Sequence, residues 1–136
     1  MNSPYKSILV IDDDAVNNLL NRQFLTFMLP KSTITAFQSP AQVLQLLKTG
    51  KLLHPDLILL DINMPEMTGW EFIDELELLG RSSDIMILSS SLHEEDVEIA
   101  RSRSSIKSYI HKPLTEDKIE QHLIQQHFSL LGLDSH

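Results

Sequence analysis

Five side chains that could bind a metal ion or a phosphoryl group come directly after short apolar runs: Asp12, Asp13, Asp61, Ser89 and Lys112. The runs that precede them cover residues 7–11, 57–60, 85–88 and 109–111. Carboxylates are the ligands that a hard divalent cation prefers, whereas a hydroxyl and an ammonium suit the oxygens of a phosphoryl group. The set therefore predicts a site for a divalent cation and a phosphoryl group, provided that the fold brings these positions together.

Strand-like and helix-like segments alternate along the chain. Residues 33–37 add a second strand to the four runs, and helices are predicted at 15–28, 40–50, 70–80, 94–102 and from 115 onward. Five βα units imply a parallel sheet, because parallel neighbours need crossover connections. The predicted fold is α/β, a flavodoxin-like (βα)5 doubly wound parallel sheet with strand order 2-1-3-4-5. This order places the ends of strands one and three at the ligand-binding switch point, so Asp13 and Asp61 would face each other.

The first helix carries six apolar side chains at helical spacing, which we expect to form its buried face: Val16, Leu19, Leu20, Phe24, Phe27 and Met28. Asp14 precedes this helix and is expected to cap it or to lie in its solvated first turn. Trp70 and the methionines are expected to serve in packing.

Composition restricts the class of protein. The chain has 136 residues and no cysteine, so we expect one domain over 1–136, with a core at about 7–131, and neither disulfides nor thiolate metal sites. A formal charge of −8 argues against a nucleic-acid partner. No apolar run approaches the ~20 residues of a membrane span, so we expect no membrane partner and a cytoplasmic location.

The segment Leu60-Asp-Ile-Asn-Met-Pro-Glu-Met-Thr-Gly69 resembles the phosphoacceptor segment of the receiver domains of bacterial two-component response regulators. Asp12-Asp13, Ser89 and Lys112-Pro113 match that family in order and approximate spacing, and the resemblance runs from about residue 7 to 131. It implies a single-domain, chemotaxis-regulator-like phosphoacceptor that receives its phosphoryl group on Asp61 from a histidine kinase or histidine phosphotransfer protein.

The resemblance also implies a role for each residue of the site. Mg²⁺ would bind Asp13, Asp61 and the backbone carbonyl of Asn63, with Asp12 holding a metal-bound water. Lys112 would screen the transferred charge, and Ser89, where threonine is more usual, would donate a hydrogen bond to the phosphoryl group.

Signal output is also implied by the resemblance. Tyr109 occupies the position of an aromatic switch residue, and the switching surface would comprise the fourth helix, fifth strand and fifth helix. The protein would assist its own phosphorylation and dephosphorylation without being an enzyme, and would signal through an unknown downstream protein.

Two other functions are compatible with parts of the pattern. Asp12-x-Asp14-x-Val16 fits the nucleophile motif of haloacid-dehalogenase-type phosphatases, in which Asp12 would be the nucleophile and Asp14 the acid/base. The chain is short for that family and has no recognisable cap segment. A docking module that keeps the fold without the chemistry is the third hypothesis, and the intact set Asp13, Asp61, Ser89 and Lys112 argues against it.

Overall fold

A computed structural model describes residues 3–80 and 82–124. The strands within these ranges form one five-stranded sheet. The strands are β1 Ser7–Ile11, β2 Thr33–Phe37, β3 Leu57–Leu60, β4 Asp84–Ser89 and β5 Ile106–His111. All neighbours pair in parallel, in the order β2-β1-β3-β4-β5, which confirms the predicted fold and the edge position of β2. Both β4 and β5 begin before their predicted runs. In β5 the polar residues Lys107 and Ser108 interrupt the apolar pattern that defined the prediction.

Five helices connect and follow the strands: α1 Ala15–Met28, α2 Pro40–Lys48, α3 Gly69–Leu78, α4 Glu94–Ser102 and α5 Glu116–Ile119, which continues as a π-helical turn at Glu120–Ile124. Side chains cap the starts of four helices, and the capping residues are Asp14, Ser39, Thr68 and Thr115. Such caps accept hydrogen bonds from backbone N–H groups that the first helical turn leaves without partners. The predicted capping role of Asp14 is thereby confirmed.

The central strands are buried on both faces of the sheet. Alternate side chains of a strand point to opposite faces, and helices cover each face. One core, beneath α2, α3 and α4, contains Leu9, Ile58 and Ile87 among others. The other core, beneath α1 and α5, contains Val10 and Leu59 among others. In the part of the chain that the structure describes, no helix combines the length and apolar character that a bilayer crossing requires.

The predicted buried face of α1 is wrong. Its buried residues are Asn18, Asn21 and Leu25, whereas five of the six predicted apolar residues are exposed: Val16, Leu19, Leu20, Phe24 and Phe27. Only Met28 of that set packs partly against the core. The Nδ2 group of Asn18 donates hydrogen bonds to the backbone oxygens of Asp12 (2.8 Å) and Phe37 (3.0 Å). These polar contacts with the strand ends accompany a helix rotation that the apolar spacing alone does not reveal.

Two alanine substitutions in α1 test the corrected face. We expect Leu25→Ala to lower the free energy of unfolding by about 2–5 kcal/mol, because it leaves a cavity in the core. Phe27→Ala should change it by no more than about 0.5 kcal/mol, because the Phe27 side chain is exposed. Urea titration followed by circular dichroism measures both values, and a larger loss for Phe27→Ala than for Leu25→Ala would contradict this orientation of α1.

Candidate functional site

The predicted acidic residues meet at the carboxyl-terminal edge of the sheet. Asp12 directly follows β1, and Asp61 directly follows β3, its neighbour in the sheet. Asp12, Asp13 and Asp61 each offer one carboxylate oxygen, and these three oxygens lie within 4.8 Å of one another. Asp12 and Asp61 are buried, with 2% and 6% of their surfaces exposed, whereas Asp13 is exposed. The arrangement concentrates negative charge where water can stabilise only part of it.

Among the described residues, Lys112 is the cation that contacts this cluster. It follows β5, and its Nζ lies 2.9 Å from Oδ2 of Asp12 and 3.4 Å from Oδ2 of Asp61. Two carboxylates about 4 Å apart repel each other by roughly 4 kcal/mol at an effective dielectric constant of 20. One ammonium cannot neutralise three carboxylates, so the cluster keeps an excess of negative charge that favours a further cation.

The pKa values of Asp61 and Lys112 are both shifted within this buried cluster of charges. Burial raises the pKa of Asp61 above its usual value, against the lowering effects of the Asn63 N–H and of Lys112, and the charge of Asp12 raises it further. Burial acts to lower the pKa of Lys112, but the hydrogen bond and charge of Asp12 and the contacts with Asp61 outweigh it and raise that pKa. Lys112 is therefore held in its charged form.

Backbone N–H groups fix the orientation of both buried carboxylates. Oδ1 of Asp12 accepts a hydrogen bond of 2.9 Å from the N–H of Asp14, and Oδ1 of Asp61 accepts one of 3.0 Å from the N–H of Asn63. The Oδ2 atom of each carboxylate faces Lys112. Each buried acid is thus held at both oxygens, with its position set by the turn that follows its own strand.

The predicted switch residues are both buried and lie beside the loop that follows β4. The Ser89 hydroxyl accepts a hydrogen bond of 3.0 Å from the N–H of Ser91. An accepted bond leaves the hydroxyl hydrogen available for donation to another group. Tyr109 has no exposed surface, and its hydroxyl donates a 2.7 Å hydrogen bond to the backbone oxygen of Ser91. Ser89 and Tyr109 therefore both form hydrogen bonds with the backbone of one loop residue, Ser91.

Gly69 supports the site, although the sequence analysis assigned it no role beyond its place in the motif. A Cβ atom at this position would lie 2.8 Å from both Cα and Cγ2 of Ile62 and 3.0 Å from the backbone oxygen of Asp61. The N–H of Gly69 also donates a 3.0 Å hydrogen bond to the oxygen of Ile62. The glycine eight residues after Asp61 was the available signal, because glycine permits close backbone approach.

Lys118 is a second supporting residue, and no sequence pattern predicts its role. Its Nζ donates hydrogen bonds to the backbone oxygens of His111 (2.6 Å) and Pro113 (3.0 Å), which flank Lys112. The Lys112–Pro113 peptide bond is cis. A lysine six residues after Lys112 forms no recognisable sequence motif, so only the folded chain reveals this contact.

Comparison with known proteins assigns the chain to a family. Residues 8–124 match the response regulator receiver domain family, a range that includes every predicted site residue. The chain belongs to this family. The nitrate/nitrite response regulator protein NarL of Escherichia coli K12 is 38% identical over 99 residues, which cover 73% of this chain and 44% of NarL. The receiver domain thus spans about half or less of the length of these curated relatives, which include transcriptional regulators and protein-glutamate methylesterases.

Solved structures agree with this assignment. A two-component response regulator from Cytophaga hutchinsonii is 31% identical, with a TM-score of 0.72 over 85% of this chain and 91% of its own. A CheY-like response regulator receiver domain from Methylobacillus flagellatus is 19% identical, with a TM-score of 0.69 over 89% of this chain and 96% of its own. The second likeness concerns the fold alone.

Receiver domains bind Mg²⁺ at a cluster of aspartates, and this receiver domain has such a cluster in Asp12, Asp13 and Asp61. The donor set fits the ion, because Mg²⁺ prefers oxygen ligands and usually binds one or two carboxylates while keeping several waters. The exposed side of the cluster at Asp13 leaves access for such waters. The acidic pocket therefore suits a magnesium-dependent phosphoacceptor site.

Removal of one buried charge tests the repulsion within the cluster. With chelator present, we expect Asp61→Asn to raise the free energy of unfolding at pH 7 by on the order of 1 kcal/mol, the part of the repulsion that Lys112 does not offset. The pKa of Asp61 is higher in the folded protein than in the unfolded chain, so ionisation of Asp61 costs stability as the pH rises through that interval. The gain should therefore shrink toward pH 4, and urea titrations across this range measure it.

Asp13→Asn is the matched control, because it removes the same charge from the exposed side of the cluster, where solvent screens it. Its gain should be the smaller of the two. Equal stability of Asp61→Asn and the native protein at pH 7 would contradict the repulsion argument.

A methyl group at position 69 tests the close approach between Gly69 and the backbone of Asp61 and Ile62. We expect Gly69→Ala to lower the free energy of unfolding by about 1–3 kcal/mol, because the new Cβ would press against the backbone of Ile62. Glu75→Ala, on the exposed side of α3, is the control and should lie within about 0.5 kcal/mol of the native protein. Chemical denaturation measures both, and a neutral Gly69→Ala would show that the segment relaxes without cost.

Proposed function

We propose that this receiver domain accepts a phosphoryl group on Asp61 and passes the signal on through the β4–α4 loop and the surface formed by α4, β5 and α5. The observation that carries the proposal is the position of Asp61, which lies in the acidic cluster with Asp12 and Asp13 and 3.4 Å from the ammonium of Lys112. A carboxylate nucleophile needs charge neutralisation of this kind, since positioning and electrostatics account for most of the catalysis of phosphoryl transfer.

The phosphodonor in this proposal is the phosphohistidine of a histidine kinase or histidine phosphotransfer protein. An oxygen of Asp61 forms a bond to phosphorus while the bond from phosphorus to the imidazole nitrogen breaks, and the imidazole keeps the electron pair. Asp13, Asp61 and the carbonyl of Asn63 would hold Mg²⁺, with Asp12 acting through a bound water. The ion would neutralise charge on the phosphoryl oxygens, and the ammonium of Lys112 would also do so.

Ser89 is the proposed sensor of the phosphoryl group. Its hydroxyl accepts a hydrogen bond from Ser91 and can donate its own hydrogen to a phosphoryl oxygen. The Tyr109 hydroxyl donates a hydrogen bond to the backbone oxygen of Ser91, so a movement of the loop toward Ser89 would alter the environment of Tyr109. The phosphoryl group shifts the balance between two conformations only as far as its contacts differ between them.

An apolar surface beside the site supports docking of a protein phosphodonor. Exposed Leu20 and Phe24 of α1 line a groove of about 310 Å³ together with Lys112, Pro113 and Leu114. Exposed apolar patches of this kind commonly mark interaction surfaces. The groove adjoins the ammonium that contacts Asp61, so a partner helix lying there would bring a phosphohistidine close to the nucleophile.

The domain is a phosphoacceptor and not an enzyme, it acts on an unidentified downstream protein, and it needs neither a nucleic-acid nor a membrane partner. A cytoplasmic location is included because the sequence contains no cysteine, which suits a reducing compartment.

The phosphatase hypothesis has no support from the comparisons. It also needs Asp14 as an acid/base, whereas the Asp14 carboxylate accepts hydrogen bonds from the N–H groups of Val16 (2.9 Å) and Asn17 (3.1 Å) at the start of α1. The docking-module hypothesis leaves the convergence of Asp13, Asp61 and Lys112 without a purpose.

Phosphorylation by a small-molecule donor tests the proposal directly. Acetyl phosphate with Mg²⁺ should add one phosphoryl group, seen as a gain of about 80 Da in intact-mass analysis under conditions that preserve acyl phosphates. Peptide mapping after borohydride reduction should place the modification at Asp61. Asp61→Asn should show no adduct, whereas Glu75→Gln, remote from the site, should behave like the native protein. An unmodified native protein, or an adduct on Asp12, would overturn the assignment.

A further inference from the structure

The single tryptophan of the chain joins two helices through a hydrogen bond. Trp70 lies in the first turn of α3, and its Nε1–H donates a 3.2 Å hydrogen bond to Oδ1 of Asp96 in the first turn of α4. Both side chains are half-buried. Trp70 was expected only to pack, and it does pack partly against the core, but the hydrogen bond gives it a specific partner.

Asp96 also lies next to the loop that holds the switch residues. Its Oδ2 is 3.5 Å from the hydroxyl of Ser91, at the outer limit of a hydrogen bond. Ser91 is the residue whose N–H contacts Ser89 and whose backbone oxygen accepts from Tyr109. The hydroxyl of Ser91 also accepts a 3.2 Å hydrogen bond from the N–H of His93. Ser91 is thus connected to the site on one side and to the start of α4 on the other.

The start of α4 has no side-chain cap, since His93 at the N-cap position makes no capping hydrogen bond with its side chain. The contacts of Ser91 and Asp96 therefore contribute to the placement of the first turn of α4. Hydrogen bonds to an ionised group are about twice as strong as those between neutral groups. Asp96 thus contacts both the loop, through Ser91, and α3, through Trp70.

We propose that Asp96 is a positioning residue of the switch. When the contact between Ser89 and Ser91 changes, Asp96 passes the change to the indole of Trp70. Phosphorylation would therefore affect α3 as well as α4. This inference rests on the proposed phosphorylation of Asp61. When Ser89 turns its hydroxyl to a phosphoryl oxygen, Ser91 moves with it, and the carboxylate of Asp96 transmits the displacement. The fluorescence of Trp70 then reports phosphorylation of Asp61.

Fluorescence of the full chain tests this coupling, because the only tryptophan is the proposed reporter. Acetyl phosphate is added with Mg²⁺, and the emission change is recorded beside the phosphorylated fraction from intact mass. The native protein should show a change that follows phosphorylation. Asp96→Asn should reduce the change per phosphorylated molecule by about half or more, because a neutral acceptor bonds the indole more weakly. Ser91→Ala should also reduce it, by removing the contact between the loop and Asp96.

Glu95→Gln is the matched control, because it removes the same charge from the first turn of α4 at an exposed residue that has neither hydrogen bond of Asp96. It should keep the native response. A native-like response of Asp96→Asn, or an equal loss in Glu95→Gln, would overturn the proposal, since helix-terminal charge alone would then explain the effect. Absence of phosphorylation in the native protein would instead overturn the function proposed for Asp61, so the two failures can be distinguished.

Discussion

The structure depends on the confinement of three carboxylates beside one ammonium. Asp12 and Asp61 are buried, Asp13 completes the cluster, and Lys112 contacts the two buried acids. Charges removed from water are costly unless they are paired and hydrogen-bonded. Lys112 and backbone N–H groups offset part of this cost, and a bound cation would offset more of it. The acidic cluster is thus less stable without a cation than with one, so cation binding would stabilise the folded protein.

The support for the cluster comes from elements that carry no reactive group. Gly69 lets the start of α3 approach the backbone of Ile62 and Asp61, and Lys118 holds the carbonyl groups on either side of Lys112. Asn18 does the same for the end of β1, through the backbone oxygen of Asp12. These contacts fix backbone segments, and the backbone in turn fixes the side chains that repel one another. A site of like charges needs such support more than a neutral site does.

Sequence patterns revealed what each strand end carries but not how each helix is rotated. The positions of Asp12, Asp61, Ser89 and Lys112 follow from strand order alone, because the ends of parallel strands meet at one edge. The face of α1 was predicted wrongly, since its apolar stripe is exposed while asparagines contact the strand ends. Apolar spacing predicts which face of a helix is buried only where packing against the core sets the rotation of that helix. A contact such as that between Asp96 and Trp70 joins segments that are distant in sequence, so it leaves no local pattern.

The site has a fixed half and a half that can respond. Asp12 and Asp61 are held at both carboxylate oxygens, by backbone N–H groups and by Lys112. The hydroxyl of Ser89, by contrast, can take a new acceptor while it keeps its bond to the loop. A hydrogen bond to a charged group contributes about 1.5–3 kcal/mol. A difference of that size between two conformations shifts their ratio by roughly 10- to 150-fold. One new bond of this kind at Ser89 would therefore be large enough to reverse a preference of the loop that is worth no more than that bond.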